Sequence, residues 1–286
     1  MVDSEPHPMT ILSFTLIILV GAFFAGLLGS LTGLGGGVVI IPLLTLAFNV
    51  DIRYAIGTSL IAIIANSSGA AAAYIKEGIT NIRLGMFLEI ATTIGAVTGA
   101  IIAIALPVHW VAILFGLVLI VSAILQLRKK EDHLEVTEQS DLAHTLRLNS
   151  SYPTPGGVVH YTVRRVPGGF LMMVFAGIMS ALLGIGSGAF KVLGMDHIMH
   201  VPFKVSTTTS NFMIGVTAAA SSVVYFQRGY IDPGLCFPVV IGVLMGAMTG
   251  SKILLRSGTA TLRKIFSVVI TLLAIEMIYK GIKTGF

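Results

Sequence analysis

Two glycine clusters are the first feature of this sequence that could bind a ligand. Residues 33–37 read Gly-Leu-Gly-Gly-Gly and residues 184–188 read Gly-Ile-Gly-Ser-Gly, each within a long apolar region. Glycines at this density interrupt a helix and leave backbone N–H groups free. A helix that begins after such a break directs the positive end of its dipole toward it, which suits an anion.

We therefore predict that both clusters contribute donors to one anion site. The predicted donors are the last three residues of each cluster, namely Gly35, Gly36, Gly37, Gly186, Ser187 and Gly188. Close helix packing through glycine is the alternative role. A nucleotide phosphate loop does not fit, because no Gly-Lys-Ser/Thr follows the first cluster. A serine nucleophile at Ser187 does not fit either, because Ile185 occupies the glycine position of the nucleophile elbow.

A second recurring feature is the hydroxyl-rich start of two apolar stretches. Residues 206–211 read Ser-Thr-Thr-Thr-Ser-Asn, and residues 57–59 read Gly-Thr-Ser, with Asn-Ser-Ser at 66–68. Hydroxyl and amide groups can donate to an oxyanion without the cost of burying a full charge. Helix capping and bonds between helices are the alternative roles. The predicted side-chain ligands are Thr58, Ser59, Asn66, Thr209, Ser210 and Asn211.

Three cations and one acid complete the candidate chemistry. Arg53 and Lys204 each precede a hydroxyl-rich stretch. They would attract or gate an anion, unless they are ordinary interface residues. Lys191 lies in an apolar run three residues after the second glycine cluster, and a charge so placed faces protein or water rather than lipid. Glu89, inside another apolar stretch, is the candidate carrier of a coupling proton, with pairing to a buried cation as the alternative.

The elements that position these residues must be membrane helices. Of 286 residues, 55% are hydrophobic and 11% are charged, whereas a soluble domain carries about 25% charged residues. Two short apolar pieces, near 37–48 and 188–199, follow the glycine clusters. The stretches with roughly the 20 residues that a membrane span requires run near 10–31, 54–75, 84–106, 108–127, 168–187, 205–226, 235–256 and 262–280.

Net charge, cysteine usage and the first residues exclude other classes of protein. The formal net charge of +5 comes from Lys and Arg that lie mostly between apolar stretches, so it predicts membrane topology and no nucleic-acid partner. Cys236 is the single cysteine, which excludes an internal disulfide, and no cofactor or metal is expected. Residues 1–10 lack the basic region of a signal peptide, so we expect the first apolar stretch to remain in the mature protein.

The chain consists of two similar halves. A constant spacing of 151 residues aligns them without a gap and places Gly35 on Gly186. The same spacing aligns Gly-Ala-Val-Thr-Gly at 95–99 with Gly-Ala-Met-Thr-Gly at 246–250. A polar segment with several prolines and glycines separates the halves and is typical of a loop outside the membrane. We therefore expect a transmembrane repeat over 1–127, a cytoplasmic loop over 128–167 and a second transmembrane repeat over 168–286.

The distribution of Lys and Arg favours an inverted repeat. With the central loop in the cytoplasm, eleven of these residues fall inside and four fall outside. The turn at 107–109 carries no Lys or Arg, whereas its repeat counterpart at 258–264 is basic, as opposite sides of the membrane require. The predicted fold is an all-α polytopic membrane protein of two inverted repeats. Each repeat has about five helical segments, and both termini are periplasmic. Inverted repeats with broken helices recur in secondary transporters.

Taken together, these motifs resemble the sulfite exporter TauE/SafE family, also called the toluene sulfonate uptake permease family. The resemblance rests on the two glycine clusters, the short apolar arms that end near Pro42 and Gly194, the Thr-Ser pairs and the basic central loop. It covers both halves and weakens over 131–167. The second half departs from the first where Ser187 replaces a glycine and Leu193 replaces the proline. The resemblance implies a bacterial inner-membrane permease for sulfite, sulfoacetate or similar anions, often directed outward.

The sequence thus predicts a secondary transporter, and no enzyme, that holds one anion where the halves meet. A passive anion channel with the same donors is the alternative. An intramembrane enzyme would need a nucleophile–base pair or a metal cluster, and neither occurs at a convincing spacing. The expected partners are a small sulfur-containing anion and membrane lipid, and a homodimer is one of the oligomeric states left open. The choice of anion, the direction of transport and the coupling ion are open as well.

Overall fold

The computed structural model describes residues 11–32, 35–127, 141–154, 156–256 and 260–283, and within them the chain is mostly helical. Each of the eight long apolar stretches forms a helix. The helices of the first half are α1 (Ile11–Thr32), α2 (Gly37–Pro42), α3 (Ile52–Lys76), α4 (Ile82–Ala105) and α5 (Val108–Leu127). The central segment holds α6 (Asp141–Thr145), β1 (Ser150–Thr154) and β2 (Gly157–Tyr161). The second half has α7 (Val166–Leu183), α8 (Gly188–Leu193), α9 (Phe203–Gln227), α10 (Pro233–Arg256) and α11 (Ala260–Lys283).

The two halves repeat the same elements. Helices α2, α3 and α4 recur as α8, α9 and α10 with both ends shifted by the spacing that aligns the sequences. The helix caps recur as well. The side chain of Asn81 caps α4 by accepting from the Leu84 N–H, and the side chain of its counterpart Asp232 caps α10 by accepting from the Gly234 N–H. The sequence repeat is therefore also a repeat of secondary structure.

Each short helix continues into a π-helical turn that the sequence did not predict. The turns span Leu43–Ala47 after α2 and Gly194–Ile198 after α8. Proline is not their common cause, since Pro42 precedes the first turn but Leu193 precedes the second. With its turn, each short helix still falls short of the roughly 20 residues of a membrane span.

Glycine lets the outer helices of one half pack directly on the other half. Helix α1 contacts α10 and α4 contacts α7. A side chain at Gly26 would overlap the backbone of Val243, and one at Gly95 would overlap the carbonyl of Val174. The repeat counterparts of these glycines, Gly177 and Gly246, make the same kind of backbone contact. Such close approach is how helices associate in lipid, where apolar burial gives little preference for protein over membrane.

Two helices of the first half, α3 and α5, contact their own repeat counterparts in the second half. Helix α3 packs on α9, and α5 packs on α11. Near Gly116 of α5 lie Ala274 and Ile278, and near Gly281 of α11 lie Ala112 and the carbonyl of His109. Because residue numbers rise along one helix as they fall along the other, α5 and α11 are antiparallel.

The central segment contains structure that the loop prediction omitted. Strands β1 and β2 form an antiparallel hairpin, so the all-α prediction fails here, and α7 begins at Val166, slightly before the predicted boundary. The hairpin is docked on the bundle, because the Asn81 amide donates to the hydroxyl of Tyr161 and the carbonyl of Leu148. Burial in this contact raises the pKa of Tyr161 to about 12.

Five helices are long and apolar enough to cross a membrane, judged on the residues that the structure describes. These spans are Leu12–Ser30, Ile52–Ala71, Ile82–Ala105, Val166–Leu183 and Pro233–Ile253. Many large apolar side chains on these helices are exposed, as a lipid-facing surface requires. The chain is therefore a multi-pass membrane protein.

Candidate functional site

Both glycine clusters break the helical path, as predicted. Helix α7 ends at Leu183, α8 begins at Gly188, and α2 begins at Gly37. The backbone between is left-handed at Gly35, with φ of 82°, and at Gly186, with φ of 72°. Only glycine adopts this conformation at low cost, which explains why the turns need glycine.

The two breaks lie against each other in the centre of the protein. A β-carbon built on Gly37 would lie 2.5 Å from the carbonyl oxygen of Gly184, so the start of α2 touches the end of α7. Gly35 and Gly186 share two neighbours, Ile63 of α3 and Ile214 of α9. These isoleucines are themselves repeat counterparts. The breaks that precede α2 and α8 therefore lie next to each other beside the contact between α3 and α9.

The two predicted serines bind the breaks themselves. The Ser59 hydroxyl donates to the carbonyl of Gly184 over 2.7 Å, and the Ser210 hydroxyl donates to the carbonyl of Gly188 over 3.4 Å. Both serines are fully buried. Each serine thus ties a central helix to the glycine break of the second half, and its hydroxyl hydrogen is already used.

Three other predicted ligands are buried with unused hydrogen-bonding atoms. Asn66 of α3 and Asn211 of α9 are fully buried, and within the described part of the chain neither amide nitrogen nor amide oxygen has a partner. The hydroxyl of Ser187, at the start of α8, is likewise buried and unpaired there. Asn66 and Asn211 lie one turn from Ile63 and Ile214, which line the breaks. Buried polar atoms without partners are costly, so these three side chains carry hydrogen-bonding groups that a ligand could use.

Two predicted ligands have partners away from the breaks. The hydroxyl of Thr58 accepts from the thiol of Cys236 over 3.8 Å, and the hydroxyl of Thr209 accepts from the backbone N–H of Asn81 over 3.1 Å. Both threonines are buried. Each contact joins a central helix to the start of α4 or α10, so these side chains hold the central helices in place.

The two predicted cations lie on the first turns of α3 and α9. Arg53 is half-buried, donates to the carbonyl of Leu106 over 3.2 Å and lies over the ring of Tyr230. Lys204 is exposed. Arg53 precedes Ser59 by six residues, which places its backbone about 9 Å away along the helix. The structure therefore separates this pair from the breaks.

Lys191 and Glu89 form one buried cluster with Thr217. The Lys191 ammonium donates to the hydroxyl of Thr217 and lies 3.9 Å from Oε2 of Glu89. The Thr217 hydroxyl is 2.6 Å from Oε1 of Glu89, to which it donates. Lys191 is fully buried and Glu89 nearly so. The cluster joins α4, α8 and α9 one turn beyond the second break.

Comparison with known proteins identifies the family. The profile described as sulfite exporter TauE/SafE matches residues 18–277, which include both breaks and nearly all of both halves. The chain belongs to the TauE/SafE family. It is therefore a membrane transporter of this type, as the resemblance of its motifs implied.

Curated relatives agree with this assignment of a TauE/SafE transporter. Probable membrane transporter protein YunE of Bacillus subtilis is 29% identical over 95% of this chain and 99% of its own length. Probable membrane transporter protein YdhB of the same organism is 28% identical over 83% of this chain and 89% of its own length. A relative from Methanocaldococcus jannaschii, probable membrane transporter protein MJ0441, is 23% identical over 94% of this chain and 96% of its own length. No solved structure matches significantly.

Thr217 is the residue of this TauE/SafE protein that the sequence analysis missed. It was not singled out because a threonine inside an apolar helix commonly bonds its own backbone, and the Thr217 hydroxyl oxygen indeed lies 3.1 Å from the carbonyl oxygen of Met213. The internal repeat could have identified Thr217, because it is the counterpart of Asn66. Both halves carry a polar residue at this position, one turn from the isoleucine at the breaks.

Proposed function

We propose that this protein is a secondary transporter that exports sulfite or a small organosulfonate such as sulfoacetate across the bacterial inner membrane. The observation that carries the proposal is the juxtaposition of the two glycine breaks that precede α2 and α8, next to unpaired side chains of Asn66, Asn211 and Ser187. In this proposal the anion binds between the breaks.

The donors present there match the chemistry of a sulfur oxyanion. Sulfite and sulfonate groups carry three oxygens that accept hydrogen bonds, and backbone N–H groups at a helix start donate to such oxygens. The amides of Asn66 and Asn211 can each donate twice, and the Ser187 hydroxyl donates once. The site would therefore surround the anion with donors from both halves.

An inverted repeat supports a mechanism of alternating access. Helices α5 and α11 are antiparallel counterparts, and α3 and α9 contact each other beside the breaks. In transporters built from inverted repeats, the substrate site lies where the repeats meet and the repeats rock around it. With the central segment in the cytoplasm, Arg53 would lie at the outer approach and Lys204 at the inner one, where each attracts anions electrostatically.

Reconstitution into proteoliposomes tests this function. The purified protein should take up radiolabelled sulfite or sulfoacetate. It should not take up acetate or taurine at comparable rates, because acetate has no sulfur oxyanion and taurine, which carries both a sulfonate and an ammonium group, has no net negative charge. A secondary transporter should also accelerate exchange when unlabelled anion is loaded inside, whereas a passive channel should not. Absence of uptake for every sulfur oxyanion tested would refute the proposal.

A further inference from the structure

The Lys191–Glu89–Thr217 cluster breaks the symmetry of the two halves. The repeat counterparts of Lys191, Glu89 and Thr217 are Ile40, Val240 and Asn66, so neither charge is repeated. A buried charged pair in a membrane protein is expensive and marks a functional site by default. The scaffold is symmetric, yet the charges of Lys191 and Glu89 have apolar counterparts.

The cluster is connected to the proposed anion site. Lys191 lies on the first turn of α8, three residues after Gly188. Thr217, which receives a hydrogen bond from Lys191, lies three residues after Ile214, or about 4.5 Å of helix rise from a residue that lines both breaks. Oε2 of Glu89 has no hydrogen-bond partner within the described residues.

We propose that Lys191 supplies the positive charge of the anion site and that protonation of Glu89 releases this charge, so that one proton moves with each anion. Such coupled movement gives export when the outward gradient of the anion exceeds the inward gradient of the proton. The inference rests on the proposed function. With Glu89 ionised, Lys191 is neutralised and the cluster has no net charge. With a proton on Oε2 of Glu89, the ammonium is left uncompensated, and a bound sulfonate group or bisulfite ion, each with one negative charge, restores neutrality. Both states avoid an unpaired buried charge, which lipid and protein interior disfavour.

Lys191 is the charged group that faces Glu89 from the helices packed around it. Helix α7 carries no titratable side chain over Val166–Leu183. On α9, Lys204 is exposed at the first turn and Tyr225 donates to the carbonyl of Ala181. Thr217 contacts Glu89 through a hydroxyl, which does not titrate. The positive charge that protonation of Glu89 leaves on Lys191 is therefore balanced by the anion.

Transport by purified protein in proteoliposomes tests the coupling, with radiolabelled sulfoacetate as probe. Wild type should accumulate sulfoacetate when the outside is acidic. Glu89→Gln mimics the protonated acid, so it should retain exchange of sulfoacetate but lose accumulation driven by the pH gradient. Lys191→Met should weaken sulfoacetate binding by about ten- to a hundredfold, the worth of a hydrogen bond to a charged group.

Matched controls and a double variant make the result decisive. Lys252→Met and Glu276→Gln change an exposed lysine and an exposed glutamate in the same way and should leave both readouts unchanged. If Lys191→Met does not fold, the double variant Lys191→Met with Glu89→Gln removes both charges. It should bind sulfoacetate about ten- to a hundredfold more weakly than wild type, as expected for Lys191→Met. Wild-type affinity in either variant would overturn the inference, as would gradient-driven accumulation by Glu89→Gln. Wild-type protein that transports no sulfur oxyanion would instead refute the proposed function.

Discussion

At the scale of single residues, the proposed site is defined by buried polar atoms that have no hydrogen-bond partner among the described residues. Asn66, Asn211 and Ser187 are buried, and their side chains lack partners in the described part of the chain. Ser59 and Ser210, in contrast, use their hydroxyls to hold the breaks. In the proposed site, the first group is available to the anion and the second group holds the breaks.

Asn66→Leu should stabilise the protein while it disables transport. Replacing an unpaired buried amide by an apolar side chain of similar size should raise the free energy of unfolding by about 1–3 kcal/mol. Uptake of sulfoacetate should fall because two donors are lost. Thermal unfolding in detergent and uptake into proteoliposomes measure the two effects.

The same substitution at Asn81 gives the matched contrast. Asn81 caps α4 and donates to both Leu148 and Tyr161, so Asn81→Leu should lower the unfolding temperature. Destabilisation by Asn66→Leu, as large as that by Asn81→Leu, would show that the Asn66 amide is needed for folding rather than for the anion.

Ser187→Gly separates backbone shape from side-chain chemistry at the second break. Ser187 has a φ of 43°, a left-handed conformation that costs a residue with a side chain about 1–2 kcal/mol. Glycine should relieve this cost and raise the unfolding temperature, yet affinity for sulfoacetate should fall because the hydroxyl is gone. The reverse change, Gly36→Ser, should destabilise, since its β-carbon would lie 3.0 Å from the carbonyl oxygen of Ala25 at a φ of 80°. Unchanged affinity in Ser187→Gly would remove Ser187 from the site.

These residues could be predicted from the sequence only in part. Glycine density and the repeat predicted both breaks, and residue type predicted Asn66 and Asn211 as candidates. Which hydroxyls are free could not be predicted, because Thr58 and Thr209 differ from Ser187 only through contacts with other helices. The pairing of Lys191 with Glu89 and Thr217 joins residues far apart in the chain, and only the fold brings them together.

At the scale of elements, glycine stripes set how the halves interlock. Gly95 and Gly246, which are repeat counterparts, let α4 approach α7 and α10 approach α1 at backbone distance. The helices themselves followed from apolar length, but their partners did not, because a stripe of small residues does not specify which helix it meets. The π-helical turns were also beyond prediction, since the two copies share no proline.

Gly95→Ala and Gly246→Ala should each destabilise the bundle. The added methyl group would overlap a backbone carbonyl of the neighbouring helix, which cannot move as a flexible side chain can. Overpacking of this kind costs about 1–3 kcal/mol, so the unfolding temperature in detergent should fall. Gly156→Ala, whose methyl group would meet open space, is the control and should change nothing. Equal stability of all three variants would refute the close packing.

At the scale of the whole molecule, an inverted repeat would place equivalent turns on opposite sides of the membrane. Glu77 and Arg228 are repeat counterparts, and both are exposed in turns that follow the central helices. Charge distribution and the antiparallel packing of α5 on α11 both favour this arrangement. Among the residues that the structure describes, the hairpin between the halves occurs once, and it docks near the start of α4.

Single cysteines at these two turns test the orientation. In a Cys236→Ala background, Glu77→Cys should react with a membrane-impermeant maleimide only from the cytoplasmic side. Arg228→Cys should react only from the periplasmic side. Spheroplasts and inverted vesicles supply the two sides. Labelling of both positions from the same side would contradict an inverted repeat and would favour a parallel one.

The central claim is that a sulfur oxyanion binds between the two glycine breaks. Selenite replaces the sulfur of sulfite by selenium, which scatters anomalously, so crystals grown with selenite locate the anion directly. The account predicts an anomalous peak between residues 35–37 and 186–188, within hydrogen-bond distance of Ser187, Asn66 or Asn211. A protein that binds selenite in solution but shows its peak elsewhere would contradict it.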